Sequence, residues 1–315
     1  MSLFMRGLQP LALASLYRLT SDPRGNWWKD LLRLWKPSGT TSGADGLRLA
    51  VRDNYLNFYS QGQSIARVGF TPDHEPYLDT HVKYAFETRP TENPQHCARL
   101  LGTTIRDPKT AEELNYEGEP TLRHWIERAA GHAEEEKKFV DKLVADNPTI
   151  IDLEIGLPAI GERKTAPRMD CAELEQAGDV IRIVFWEAKM IGNGGLKSLS
   201  EPAVVKQVKR YHEYLSDSER ARGVENAYRN VCCLLQKICA MAEVPGRTLK
   251  LHELISRAAM ENSNLKVDDE PRIIIFGEKK GNWLFHEERL WEPFRIRNLV
   301  FEQGPYPLSR PAMNI

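Results

Sequence analysis

The residues most able to do chemistry lie in the segment APRMDCAELEQAGDVIRIVFWEAKM, which spans 166–190. Side chains of a strand alternate between its two faces, so Glu187 and Lys189 share one face near the end of this segment. A Gly-Asp turn in the middle can fold the preceding strand back and bring Asp170 beside that pair. Two carboxylates at contact distance repel each other unless they share a proton or a cation. The spacing therefore predicts a site for a hard divalent cation with oxygen ligands.

Mg²⁺ suits such a site, because it is commonly held by one or two carboxylates, with water and substrate phosphate as its other ligands. Lys189 would then orient or deprotonate water and offset charge on a phosphate. The alternative is an exposed strand on which alternating charges merely keep one face wet. We favour a catalytic role for Asp170, Glu187 and Lys189, because the pair ends the apolar run IRIVFWEAKM and interior charges are rarely left unpaired.

These residues resemble the PD-(D/E)XK nuclease superfamily, whose core is a helix, a three-stranded meander carrying D and E-x-K, a second helix and a fourth strand. Here Asp170 is the D, residues 187–189 are the E-x-K, and Pro167 lies three residues before the aspartate instead of immediately before it. The resemblance covers about residues 130–280 of the printed sequence. It implies a restriction-endonuclease-like core and hydrolysis of phosphodiester bonds.

A second element, Gln207 to Tyr211, matches the Q-x-x-x-Y of the RecB-like and lambda-exonuclease-like branch of that superfamily. A spacing of four residues puts the amide and the phenol on one helical face, where they can reach the active site or the nucleic-acid backbone. Alone, this pattern is equally typical of an ordinary packed helix, and its position one loop after E-x-K makes it more specific. Lys209 and Arg210 beside it would suit phosphate contacts, although a basic helix surface is usually only soluble surface.

The family also tends to carry a metal-binding glutamate on the helix before the first strand. Glu136 recurs at helical intervals with apolar residues, so we expect it on the core-facing side and Glu134 and Glu135 outside. The alternative is a solvated triple-Glu face. The metal-binding positions that the resemblance implies are Glu136, Asp170, Glu187 and Ala188.

Acidic residues also alternate with apolar ones on the first strand of the meander, TIIDLEIGL. We expect Asp152 and Glu154 to form a solvent-exposed face there, with Glu154 kept open as a further ligand.

The elements that must position these residues differ between the two halves of the chain. Residues 26–36 have helical spacing, residues 46–86 alternate like a meander of short strands, and 87–118 is rich in Pro, Thr, Asn and charge, which favours a linker or irregular excursion. We therefore predict an amino-terminal β-rich accessory region over 1–118 and a nuclease-like domain over 119–315.

That second domain has the order α-β-β-β-α with further helices and a last strand, which predicts an α/β fold, a mixed sheet flanked by helices. The predicted strands are 149–157, 168–174, 180–190 and 272–278. The predicted helices are 119–145 as one helix or a broken pair, one from Ser200 to about 216, one near 219–243 and one near 251–262.

Composition limits the other possibilities. The 315 residues carry 43 Lys and Arg against 44 Asp and Glu, a net charge of -1, which excludes a polybasic nucleic-acid coat. The five cysteines include no C-x-x-C pair, as in reduced cytosolic proteins. The amino-terminal apolar stretch, interrupted by Gln9 and Pro10, indicates a packed helix more than a signal peptide. No apolar run approaches the ~20 residues that cross a bilayer. We expect a cytoplasmic protein without membrane contact.

Together these patterns predict a Mg²⁺- or Mn²⁺-dependent deoxyribonuclease acting on DNA, in genome defence or DNA processing. One alternative is a non-catalytic nucleic-acid-binding or scaffolding protein that retains a nuclease fold. A second is a hydrolase or sensor whose chemistry lies in the amino-terminal half, where no nucleophile elbow, P-loop or dinucleotide motif occurs. The sequence leaves strandedness, endo- or exonucleolytic action and homo-oligomer formation open.

Overall fold

The computed structural model describes residues 3–41, 46–86, 96–160, 168–197, 201–244, 247–278, 298–301 and 308. The chain divides into two compact units. The meander unit comprises Arg6–Asp141 and Leu234–Leu251, and the mixed-sheet unit comprises Met1–Met5, Lys142–Cys233 and His252–Ile315. The fold is mixed α/β with two sheets, which confirms the predicted class at that level.

The meander unit contains a seven-stranded sheet and short helices. Its elements are α1 (Pro10–Ser21), α2 (Trp27–Leu34), β1 (Arg48–Val51), β2 (Leu56–Ser60), β3 (Gln63–Phe70), β4 (Pro76–His81), α3 (Val82–Ala85), β5 (Cys97–Leu101), β6 (Thr104–Arg106), β7 (Glu113–Asn115), α4 (Glu119–Ala130), and parts of α5 (Glu135–Asp146) and α8 (Ser218–Ala242).

Neighbouring strands of this sheet follow one another in sequence, and every described pair is antiparallel. One face is apolar because register partners on successive strands are all hydrophobic. From β2 to β7 these partners are Leu56, Val68, Leu78, Leu100, Ile105 and Leu114. All but the last are buried, and they form the core of the unit together with helices such as α4, which contacts β2 and β3.

The prediction of a linker or irregular excursion over 87–118 is wrong for its second half. Residues 97–115 form β5, β6 and β7, which extend the sheet, while 87–95 lie outside the described residues. These strands are only three to five residues long and most of their outward positions are polar. Composition therefore resembles that of a loop, although β5 and β6 contribute the buried residues Leu100 and Ile105 to the core.

The two compact units also do not follow the predicted boundary at residue 118. Helix α4 packs on α2, α3, β2 and β3, so it belongs to the meander unit, and the division falls within α5. The predicted broken pair of helices is present as α4 and α5. Its first member completes the core of the preceding sheet.

The mixed-sheet unit contains the remaining elements. They are β8 (Ile150–Gly156), β9 (Arg168–Ala177), β10 (Val180–Met190), α6 (Gly194–Lys197), α7 (Ala203–Leu215), most of α8, α9 (Glu253–Ala258), β11 (Leu265–Val267), β12 (Arg272–Phe276) and β13 (Asn298–Phe301). The strand order is β13-β12-β10-β9-β8, with β11 also paired to β10. β8, β9 and β10 are antiparallel, whereas β12 is parallel to β10. The predicted meander of three strands is confirmed.

Helix α7 covers part of this sheet. Its Val204 and Val205 pack in one buried cluster with Ile273 and Ile275 of β12, which fixes the helix after E-x-K against the strands. The helix begins after Pro202, and Ser200, the predicted start, lies outside the described residues. Among the described helices, none combines the length and the apolar character needed to span a bilayer.

Candidate active site

Asp170 and Glu187 come together on the front face of the mixed sheet, the face of β10 that carries Phe185, Glu187 and Lys189. The β9–β10 register pairs Cys171 with Trp186, so the next position along each strand pairs Asp170 with Glu187. The side chains of Asp170 and Glu187 are nearly enclosed, with residue exposures of 6% and 4%. The backbone N–H of Ala188 donates to Oδ2 of Asp170 over 2.8 Å.

Lys189 and Gln207 complete what we call the front cluster, which consists of Asp170, Glu187, Lys189 and Gln207. Nζ of Lys189 lies 2.5 Å from Oε1 of Glu187 and donates to the Ala188 carbonyl over 3.0 Å. Gln207 on α7 hydrogen-bonds to Glu187 and donates through Nε2 to the Arg168 carbonyl. The structure thus brings the predicted catalytic residues and the glutamine of Q-x-x-x-Y together.

Burial raises the pKa of Glu187 well above its ordinary value, and the charge of Asp170 raises that pKa further. Lys189 and Gln207 oppose the shift, because both stabilise the ionised carboxylate. The carboxyl pair therefore favours a shared proton or a cation over two bare charges.

The oxygen atoms of the front cluster fit a hard divalent cation, because a cation would offset the repulsion between its two carboxylates. Asp170 and Glu187 would hold it, and the Ala188 carbonyl, here an acceptor for Lys189, is the only oxygen that residue can offer. Within the described ranges, no three His, Cys, Asp or Glu side chains converge as a metal-binding group. Mg²⁺ needs few protein ligands, since water and phosphate commonly complete its shell.

The predicted Gln207/Tyr211 pair divides into two roles. Tyr211 is fully buried, donates from Oη to the Ile155 carbonyl over 2.8 Å, and packs edge-on against Phe185 with ring centroids 5.4 Å apart. It ties α7 to β8, so in this arrangement the phenol has no surface for the substrate contact that the sequence predicted. Gln207 is half-buried and points into the front cluster.

The predicted phosphate-binding residues lie on the outer side of α7. Lys209 and Arg210 are exposed, and Lys209 forms an ion pair with Glu201. Their exposure is compatible with phosphate contacts and equally with an ordinary solvated surface, so this role stays a prediction.

The expectation of a solvent-exposed acidic face on β8 is wrong for Asp152. Its side chain is buried, with 1% of the residue exposed, and it accepts hydrogen bonds from Oη of Tyr228 at 3.1 Å and from the Leu153 N–H at 2.8 Å. Tyr228 lies on helix α8, so a side chain from that helix reaches this part of β8. Glu154 is half-exposed, has a left-handed φ of 49° and lies opposite Asp170 in the strand register; its role as a further ligand stays a prediction.

Sequence reasoning missed a carboxylate on the back face of the same sheet. Glu173 on β9 is buried and accepts hydrogen bonds from Oγ1 of Thr149 and Nε1 of Trp186, both at 2.9 Å. We call these three residues the back cluster. Burial raises the pKa of Glu173 to about 7 although both hydrogen bonds lower it. The alternation of strand faces could have indicated it, since Glu173 and Trp186 both face away from the front cluster.

Glu136 lies on α5 in the meander unit and is half-buried, whereas Glu134 and Glu135 are exposed. The predicted orientation of the three glutamates is therefore present, and a metal-binding role for Glu136 stays a prediction.

Pro167 lies outside the described residues. All five cysteines are unpaired thiols.

Comparison of the chain with protein-family models, with curated proteins and with solved structures finds no match. What the site can do follows from the residues of the front cluster.

Proposed function

We propose that the protein is a metal-dependent nuclease that hydrolyses DNA phosphodiester bonds, in genome defence or DNA processing. The observation that carries the proposal is the buried pair of carboxylates on adjacent strands, Asp170 and Glu187, with Lys189 bound to one of them. Buried like charges are costly. Their retention in a sheet centre is typical of sites that perturb pKa values for chemistry.

The arrangement of elements also supports a restriction-endonuclease-like core. A helix, the antiparallel meander β8-β9-β10, helix α7 and the parallel strand β12 occur in the order that the superfamily resemblance implies. Residues of the E-x-K and D elements meet at neighbouring positions of two strands, as the resemblance requires.

Asp170 and Glu187 are the residues that would hold Mg²⁺ or Mn²⁺. A divalent cation at such a site polarises a phosphoryl oxygen and lowers the pKa of bound water. The Ala188 N–H orients the Asp170 carboxylate, and Gln207 orients Glu187. The two carboxylates are thereby fixed before any ligand binds.

Lys189 supplies the positive charge of the front cluster. Its ammonium lies against Glu187, and its flexible four-carbon stem would allow it to turn toward a phosphate or an attacking water. In that position it stabilises the charge that develops on the phosphate and can accept or donate a proton at Nζ.

The test is cleavage of linear, circular and single-stranded DNA by the purified chain with Mg²⁺, with Mn²⁺ and with EDTA. We expect cleavage with either metal and none with EDTA. Asp170→Asn keeps an oxygen for the Ala188 N–H but removes the charge, so it should abolish cleavage. Asp179→Asn alters an exposed aspartate in the β9–β10 turn and should cleave like the wild type. Metal-dependent cleavage that survives Asp170→Asn would remove the front cluster from the reaction.

A second candidate is a non-catalytic nucleic-acid-binding protein with this fold. It is favoured by the finding that no third metal-ligating side chain joins the carboxylates among the described residues. It predicts no cleavage with any metal in that assay, and DNA binding that EDTA leaves unchanged, which fluorescence anisotropy of a labelled DNA measures.

A further inference from the structure

The open face of the seven-stranded sheet in the meander unit carries a row of charged residues opposite to its apolar face. Directly opposed residues on neighbouring strands project from the same face. From β3 to β7, successive register partners on this face are Arg67, Asp79, Arg99, Arg106 and Glu113. We call these five residues the arginine row, and its arginines outnumber its carboxylates.

Arg99 is held in a stack on this face. Its guanidinium carbon lies 3.7 Å from the centroid of the Tyr77 ring, and Nε and Nη2 donate to the two carboxylate oxygens of Asp79 over 2.7 and 3.0 Å. Tyr77 in turn lies against Gly69, where a Cβ would be only 2.5 Å from the ring's Cζ. Glycine therefore permits the close approach that fixes the ring and the guanidinium above it, with 44% of the Arg99 side chain exposed.

Arg67 repeats the stacking without a carboxylate. Its guanidinium carbon lies 4.2 Å from the centroid of the Tyr55 ring, and the side chain is exposed. Among the residues that the structure describes, Arg67 makes no ion pair and no side-chain hydrogen bond. The nearest carboxylate in the row is that of Asp79, its register partner, and both oxygens of that carboxylate already accept hydrogen bonds from Arg99.

Arg106 adds a like charge directly opposite Arg99. Its side chain is 60% exposed, and its closest carboxylate oxygen, on Glu113, lies 3.7 Å away. Like charges in directly opposed positions of a sheet are unfavourable, and an anion lying across the strands would relieve them. The row therefore combines excess positive charge with two ring-stacked guanidinium groups.

We propose that the arginine row, with Tyr55 and Tyr77, is a binding surface for single-stranded nucleic acid. Bases stack on guanidinium planes and on aromatic rings, and guanidinium N–H groups bind phosphate oxygens. β3 to β6 span three interstrand distances, about 14 Å, which accommodates a short stretch of nucleotides. Single strands suit the surface because their bases are free to stack, whereas a duplex encloses them.

The experiment measures binding of the full chain to a fluorescently labelled single-stranded oligonucleotide by anisotropy, in EDTA so that no cleavage interferes. Arg67→Ala removes a cation that holds no described polar partner, so the fold should persist. It should weaken binding about tenfold and reduce the slope of log affinity against log salt by about 0.7 for one phosphate contact. Arg67→Lys keeps the charge but loses the planar stack, so it should weaken binding and leave the slope unchanged.

Arg123→Ala is the matched control, because Arg123 is an arginine of the same unit, 45% exposed and paired with Glu119 on α4. It should bind like the wild type. Wild-type binding by the double variant Arg67→Ala/Arg106→Ala would overturn the proposal and leave the row as cross-strand ion pairs only. Preference for duplex DNA, or for an acidic polypeptide such as polyglutamate, would overturn it as well.

These outcomes are separate from those of the nuclease proposal. A chain that cleaves DNA while the row variants bind normally refutes the binding surface alone. A chain that binds single strands through the row but never cleaves refutes the nuclease alone.

Discussion

Strand β9 buries carboxylates on both faces of the mixed sheet, and the two faces satisfy them differently. On the back face, Glu173 receives one hydrogen bond at each oxygen, from Thr149 and Trp186. On the front face, Asp170 lies beside a second carboxylate, Glu187, whose pKa it raises. In the back cluster each carboxylate oxygen has its own hydrogen-bond donor, whereas the front cluster brings two carboxylates together.

The comparison shows that a raised pKa does not by itself identify a reactive site. Burial is the largest cause of the raised pKa for both Glu173 and Glu187. The second-largest effect on the pKa differs between the two residues. At Glu173 it is hydrogen bonds that stabilise the anion and lower the pKa, whereas at Glu187 it is a neighbouring negative charge that raises the pKa. We therefore expect a cation to favour the front cluster more than the back cluster.

The sharpest contrast comes from the same substitution on each face. Glu187→Gln should reduce metal-dependent cleavage by at least about a hundredfold, since a metal-held transition state is worth several kcal/mol. Glu173→Gln should leave the cleavage rate unchanged. Initial rates at saturating Mg²⁺ measure both. If Glu173→Gln is the inactive variant, the assignment of the two faces is reversed.

The pH dependence of metal binding tests the electrostatic origin of the front cluster. Because the pKa of Glu187 is raised, Mg²⁺ must displace a proton at and below neutral pH, and its affinity should increase as pH rises. Calorimetric titration in two buffers of different ionisation enthalpy measures the released proton. Affinity that does not change with pH would exclude Glu187 as a ligand.

Lys189→Ala should lower turnover by about a hundredfold with little loss of DNA or metal binding, as removal of a transition-state interaction does. The variant also takes away the ion pair that lowers the pKa of Glu187, so the pH at which activity appears should shift upward. Single-turnover rates across pH, with binding measured separately, test both effects. Weak DNA binding with normal turnover would make Lys189 a substrate-binding residue.

The back cluster should affect stability instead. The folded-state pKa of Glu173 is about 7 against an ordinary 4.5. The protonated carboxyl therefore contributes to the stability of the fold fully below pH 4.5, and this contribution is lost as pH rises through about 7. This loss amounts to about 3 kcal/mol at most. Glu173→Gln cannot ionise, and its amide can accept from Trp186 and donate to Thr149. Its unfolding free energy relative to wild type should therefore increase from pH 5 to pH 8 (on the order of the same figure), and a difference independent of pH would contradict this.

The smallest expected effects are those of substitutions on helix α7, at the buried Tyr211 and at the exposed Lys209. Tyr211→Phe loses the hydrogen bond to the Ile155 carbonyl and should cost about 1 kcal/mol of stability, without changing DNA affinity. Lys209→Ala should leave stability unchanged and, if Lys209 touches phosphate, reduce the salt slope of DNA binding by about 1. Urea unfolding and anisotropy titrations separate the two. Weaker DNA binding by a fully stable Tyr211→Phe would restore the predicted substrate contact.

Local periodicity determined the part of the site that lies on one hairpin. Alternation along β9 and β10 and the short Gly-Asp turn between them were enough to place Asp170 next to Glu187 and Lys189, because a hairpin pairs residues that are close in sequence. The spacing of four residues similarly put Gln207 and Tyr211 on one face of a helix. A metal ion, DNA and the nuclease reaction stay predictions.

Tertiary packing decided the burial of side chains that depend on distant elements. Asp152 lies inside because Tyr228, 76 residues away, bonds to it, and the buried phenol of Tyr211 donates to the carbonyl of Ile155, 56 residues away. The short strands within 97–115 form by pairing with one another and with β4. In that register each strand places one apolar residue beside an apolar residue of its neighbour. A sequence shows which positions share a face of one element, but the partner that covers that face is set by long-range packing, which local patterns do not encode.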